Sequence, residues 1–234
     1  MLAIELERFF AKILAAGFFY SMFAAFAAGI MPQVFFVPAI ITLLVCIYWS
    51  VLCAYRTERF TTYASFRLFT NLFVTPMLAF VLILVVSYKR AKLDPVAAVA
   101  LSCVPFAIVA IAYVVLRQRP VERQLLKVVG GRVEVLEEAP SHSPWMAGVS
   151  ATAGGLVYSV FRQYDSLYMG VIVLAVSISI YMVFYCRHSI SSLRALRQQE
   201  ASEGCQYTFM DIEGVRAKRA DSLLGRLFAI KHSQ

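Results

Sequence analysis

At 234 residues, 60% of them hydrophobic and only 15% charged, the chain is far more apolar than a soluble domain, where about 45–50% and ~25% are usual, and it reads as an integral membrane protein. A formal charge of +8 would point to nucleic acid in a soluble protein. In a membrane protein it marks the cytoplasmic side instead, so membrane lipids are expected as partners and nucleic acid is not.

The first apolar run, 9–30, is too long for the core of a secretory signal, and Glu5 and Glu7 stand where the basic region of a signal would be. It is read as the first anchor. Met31-Pro32-Gln33 then makes so tight a turn that the second run, 34–55, must lie antiparallel beside the first. Runs at 66–88, 96–116 and 167–186 also reach the roughly 20 apolar residues that cross a bilayer. Pro38, Pro76 and Pro105 fall inside three of these runs, and Thr70, Asn71 and Thr75 give the third its polar content. Lys12 apart, every charged side chain is assigned to the flanks of the spans, with Arg67, at the edge of the third run, counted with the loop before it. Proton- and ion-coupled transporters and voltage sensors need ionisable groups within the membrane, so both classes are disfavoured.

After the fourth run comes a polar loop, 117–144. Its segment QLLKVVGGRVEVLEE carries β-branched residues on both sides of Gly130-Gly131, the signal of a two-residue hairpin. The stretch Trp145 to Phe161 is the sixth candidate span. Gly148, Ala151, Thr152, Gly154 and Gly155 give it small residues at three- and four-residue spacing, which lets helix backbones approach closely within lipid. These five residues are the expected helix-packing or oligomer interface. If this stretch crosses, with the N-terminus inside, eighteen Lys and Arg lie on the cytoplasmic side and four outside; if it does not, the division is eleven to eleven. The positive-inside rule favours six spans and cytoplasmic termini, against the dissent of the outer cluster Lys89–Lys92. A second tight turn, Arg162 to Ser166, leads into the last span, in which Ser177 and Ser179 are read as bonding back to their own helix or a neighbour.

The tail begins with RHSISSLRALRQQ, expected to continue the last span as a cytoplasmic helix. QYTFMDIEG alternates Tyr207 and Phe209 against Thr208 and Met210 and reads as a third strand for the hairpin. The final GVRAKRADSLLGRLFAIKH reads as a basic amphipathic helix. Its Arg216, Lys218, Arg219, Leu223, Leu224, Arg226, Leu227 and Phe228 are expected to touch the membrane surface, a partner, or the small sheet.

No catalytic, cofactor-binding or metal-binding residues are assigned. Five scattered cysteines without a C-x-x-C and three isolated histidines do not make a metal site. Gly130-Gly131 lacks the neighbours of a phosphate-binding loop. Ser150 and His188 could act together as nucleophile and base only if His188 sank into the membrane to within ~2.6–3.2 Å, so an intramembrane protease is disfavoured.

The expected fold is an all-α polytopic membrane protein. It has six transmembrane helices in three hairpins and a small cytoplasmic α/β appendage built from the 117–144 loop and the C-terminal tail. The divisions are a four-helix region 1–116, the loop 117–144, a transmembrane hairpin 145–186 and a basic tail 187–234. Sixteen Arg against six Lys, and a single Asn, suit a bacterial source. The expected role is a non-catalytic inner-membrane subunit, a homo-oligomer or part of a larger complex, that offers its basic cytoplasmic part to a protein partner. Bacterial secretion, conjugation, immunity and phage-defence systems contain such subunits. The alternative is a homo-oligomeric channel gated through the same part.

Overall fold

The computed structural model describes residues 6–118, 124–136 and 167–222. Four of its helices are long and apolar enough to cross a membrane: Phe9–Ile30, Pro32–Arg56, Phe60–Arg90 and Pro95–Gln118. Three expected runs therefore match to within a few residues, and the third is longer than expected. The candidate sixth span and its five small residues lie outside the described residues.

The described residues belong to two compact bodies. The first contains α1 (Phe9–Ile30) and α2 (Pro32–Val51), which ends in a π-helical turn at Leu52–Arg56. Met31 alone separates the two helices, and Pro32 occupies the first turn of α2, where a missing N–H costs nothing. Gly17 lets them close up: a Cβ there would stand 2.6 Å from Ser50 Oγ. The opening turns of α3 (Phe60–Leu84) belong to the same body. Tyr20 on α1 donates its hydroxyl to the Thr70 carbonyl at 2.9 Å, and the Trp49 ring lies 5.3 Å from both Phe66 and Phe69.

Only 6% of the apolar window of α2 is buried within the chain. Such a surface is stable against lipid or another helix but not against water.

The helix α3 begins at Phe60, six residues before the boundary read from hydropathy, because Thr61, Thr62, Ser65 and Arg67 dilute its first turns. Arg67 is thus two turns inside the helix, which corrects the expectation that Lys12 is the only charge within a span. Its Nε is buried without a hydrogen-bond partner among the described residues.

The second body holds the remainder of α3, which ends in a π-helical turn at Val85–Arg90, most of α4 (Pro95–Gln118), and α5 (Leu167–Tyr185), an apolar helix of 19 residues. Asp94 accepts from the Val96 amide at 3.0 Å and caps α4, with Pro95 in its first turn. Phe106 packs against Phe73 and Phe80, with centroids 6.1 and 5.6 Å away. Ser177 donates back to the Val173 carbonyl at 2.8 Å, the helix-internal use expected of it.

The small sheet belongs to the first body. β1 (Leu126–Val129) and β2 (Arg132–Val135) pair antiparallel, with Leu126 opposite Val135 and Val129 opposite Arg132. Gly130 and Gly131 both have positive φ, +57° and +79°, as a two-residue turn matched to strand twist requires. β3 is the tail segment Thr208–Phe209, parallel to β2. Loop and tail therefore share one sheet, as expected, but the tail strand is two residues long. Asp211 stops it: its carboxylate accepts the Gly214 amide at 2.9 Å and caps α7 (Ile212–Asp221). Between α5 and β3 runs α6 (Arg187–Glu203), closed by Gly204 at φ +63°. A one-residue break at Cys186 separates α6 from α5.

Candidate functional site

The tail is built into the helix ends of the first body. Phe209, in β3, is fully buried. Its ring meets Phe9 at the start of α1 and Phe60 and Tyr63 at the start of α3, at centroid distances of 6.2, 6.1 and 5.6 Å. The Phe60 amide donates to the Tyr207 carbonyl at 3.0 Å, and the Thr208 amide to the Gly131 carbonyl at 3.0 Å. A two-residue strand would not hold by itself. Here it is flanked by β2 on one side and by a bridge to Arg59 on the other.

A second lock lies at the end of α2. The last carbonyls of a helix have no partner within it. Arg219, on α7, supplies one: its guanidinium donates to the carbonyls of Ala54 at 2.8 Å, Cys53 at 3.4 Å and Thr57 at 2.7 Å. Burial pulls this guanidinium below its ordinary pKa, and the nearby Glu58 carboxylate opposes the shift. One turn earlier, Arg216 grips Glu58 through two bonds of 2.8 and 2.7 Å, and that grip raises its pKa. Arg132 on β2 similarly takes both oxygens of Glu213, at 3.0 and 2.6 Å.

Arg216 and Arg219 are among the residues expected at the membrane surface, on a partner or against the small sheet. In the structure both are engaged within the chain, on the turn between α2 and α3. Leu223, Leu224, Arg226, Leu227 and Phe228 lie outside the described residues, and α7 ends at Asp221.

Between the start of α3 and the end of α6 opens a polar cavity of about 490 Å³, lined by Arg59, Thr61, Thr62, Arg197, Glu200 and Cys205 among others. Glu200 forms its inner wall. One oxygen accepts from the Thr61 hydroxyl at 3.0 Å and lies 3.8 Å from the Arg59 guanidinium; the other accepts from the Tyr207 amide at 3.0 Å. Its side chain is 7% exposed, that of Arg59 46%. Arg197 donates to Ser65 Oγ at 2.5 Å. At the lip, the Tyr207 hydroxyl donates to Glu203 at 2.6 Å. That bond is the main cause of the lowered pKa of Glu203, while burial and the same bond raise the Tyr207 phenol.

No sequence pattern signals this cavity. Its residues come from the α2–α3 turn and from a tail helix some 140 positions later, and none belongs to a recognisable spacing. His188 lies beside Arg187, whose Nε donates to its Nε2 at 3.1 Å, and Ser150 is outside the described residues.

No protein-family model, curated protein or solved structure matches the chain. What the fold defines is a class: a helical protein with several membrane-competent helices and a small α/β module folded onto their ends.

Proposed function

We propose that the chain is a non-catalytic integral subunit of a bacterial inner-membrane complex, with six spans and cytoplasmic termini, whose α/β module is a rigid platform for a cytoplasmic protein partner. The observation that carries this reading is the double lock of the tail. Phe209 in its aromatic cluster and Arg219 on the carbonyls of α2 fasten the module to the helices, so a load applied to one is transmitted to the other. A tethered domain on a flexible linker would lack both. The nearly unburied apolar face of α2 supports assembly with lipid or further helices.

The shared sheet supports the six-span topology. β2 and β3 lie on the same side of the membrane, so the chain between them makes an even number of crossings. With α5 as one crossing, residues 137–166 supply another, and the Gly148–Gly155 stretch is the segment suited to it.

The test is purification of the full chain from its native membrane in mild detergent, followed by reconstitution. A one-to-one complex with a cytoplasmic protein, lost when residues 204–234 are removed, together with liposomes that conduct no ions, is the expected result. Ion conductance by the purified chain overturns the subunit reading in favour of the channel. A reporter fused after Gln234 that proves external overturns the topology.

A further inference from the structure

We propose that the cavity between α3 and α6 is a binding site for a phosphate group. Arg59 and Arg197 bring two guanidinium-bearing side chains to its wall, and Thr62 adds a hydroxyl, the Thr61 proton being given to Glu200. Planar guanidinium forks match phosphate oxygens in pairs, and Arg keeps its charge at every physiological pH. One lining carboxylate, Glu200, faces them, but each of its oxygens already accepts a hydrogen bond, from the Thr61 hydroxyl and the Tyr207 amide, and its side chain is largely buried. It lies 3.8 Å from the Arg59 guanidinium, while nearly half of the Arg59 side chain stays exposed. The lining thus carries more positive than negative charge, is polar, and at about 490 Å³ has room for a phosphate with its substituent.

The location narrows the source. Arg59 precedes α3 by one residue and follows the π-helical turn at the end of α2 by three, where the membrane-competent helices meet the module. A lipid phosphate and a phosphate dissolved in the cytosol both have the required chemistry. This inference rests on the cavity and its side chains and does not depend on the number of spans or on a protein partner.

Cys205 provides the readout, because its exposed thiol lies on the cavity lining. The full chain in neutral detergent is treated with a maleimide, and modification of Cys205 is followed by peptide mass spectrometry. The additions are inorganic phosphate, mixed micelles containing phosphatidylglycerol, or sodium chloride at matched ionic strength. At least one phosphate form is expected to slow Cys205 labelling about fivefold once it exceeds its Kd about fourfold, as mass action requires, while chloride does not. Protection by micelles alone identifies a lipid phosphate, and protection by inorganic phosphate identifies a free one. Arg197→Gln, which leaves the Glu200 contacts intact, is expected to remove most of the protection, and Arg197→Lys to restore part of it. Failure of both phosphate forms to protect the wild-type chain, or equal protection by chloride, overturns the proposal. So does undiminished protection in Arg197→Gln.

Discussion

Arg219 is 5% exposed and gives its guanidinium to three main-chain carbonyls that the end of α2 would otherwise leave unpaired. Replacing it by Met keeps much of the packing and removes all three bonds. A single hydrogen bond to a charged group contributes about 1.5–3 kcal/mol, so Arg219→Met, which removes three, is expected to destabilise the chain by at least about that amount, measured as a lower melting temperature in detergent. Arg219→Lys keeps the charge but not the planar fork, and an intermediate loss is expected. The carboxylates of this region predict a pH dependence with a definite sign. Glu213 is held below its ordinary pKa first by a backbone hydrogen bond and then by Arg132, and Glu203 chiefly by Tyr207. A depressed carboxylate contributes stability above its unfolded pKa, and this is lost as pH falls through the folded value. The tail is therefore expected to be fully docked at neutral pH and to loosen below the ordinary carboxylate range. Amide exchange across Thr208–Asp221 at neutral and acid pH reads this directly; equal protection at both would contradict it.

At the scale of elements, two glycines do different work. Gly131, at φ +79°, closes the β1–β2 hairpin in a conformation that costs a side-chain-bearing residue roughly 1–2 kcal/mol. Gly131→Val is expected to speed exchange of the hairpin amides, with Gly131→Asn milder. Gly17 instead makes room, since a Cβ there collides with Ser50 Oγ at 2.6 Å. Gly17→Leu is expected to push α1 from α2 at a cost of about 1–3 kcal/mol, and pairing Gly17→Ala with Ser50→Ala should recover most of the stability. The hairpin was legible because Gly130-Gly131 between β-branched residues has few other uses. The tail strand was legible from the alternation of Tyr207 and Phe209, although its end was not, because Asp211 is compatible with a strand and a helix cap alike. The start of α3 was hidden by threonines and an arginine that lower its hydropathy while facing protein. Arg219 could not be placed in advance: its acceptors are backbone carbonyls more than 160 positions away, and a carbonyl has no sequence signature.

For the whole molecule, the topology proposal predicts that a cysteine introduced at Gln163 is labelled from outside the cell by an impermeant maleimide and that one at Gln234 is not. Labelling of both, or of Gln234 alone, would dismantle the six-span arrangement. The order in which the module's parts leave the ribosome gives the fold a further property. Phe9, Phe60, Tyr63 and the hairpin are all made before the segment containing Phe209 and Arg219 that completes them. Until that segment emerges, a nascent chain lacks the partners of its aromatic socket and of the carbonyls at the end of α2, and under the proposed six-span topology only a polypeptide threaded with the correct parity would deliver them to the right compartment. Under the proposed six-span topology, closure of the module would act as a check on membrane insertion, and chains truncated before Thr208 are expected to be cleared by proteolysis even when every apolar segment is intact.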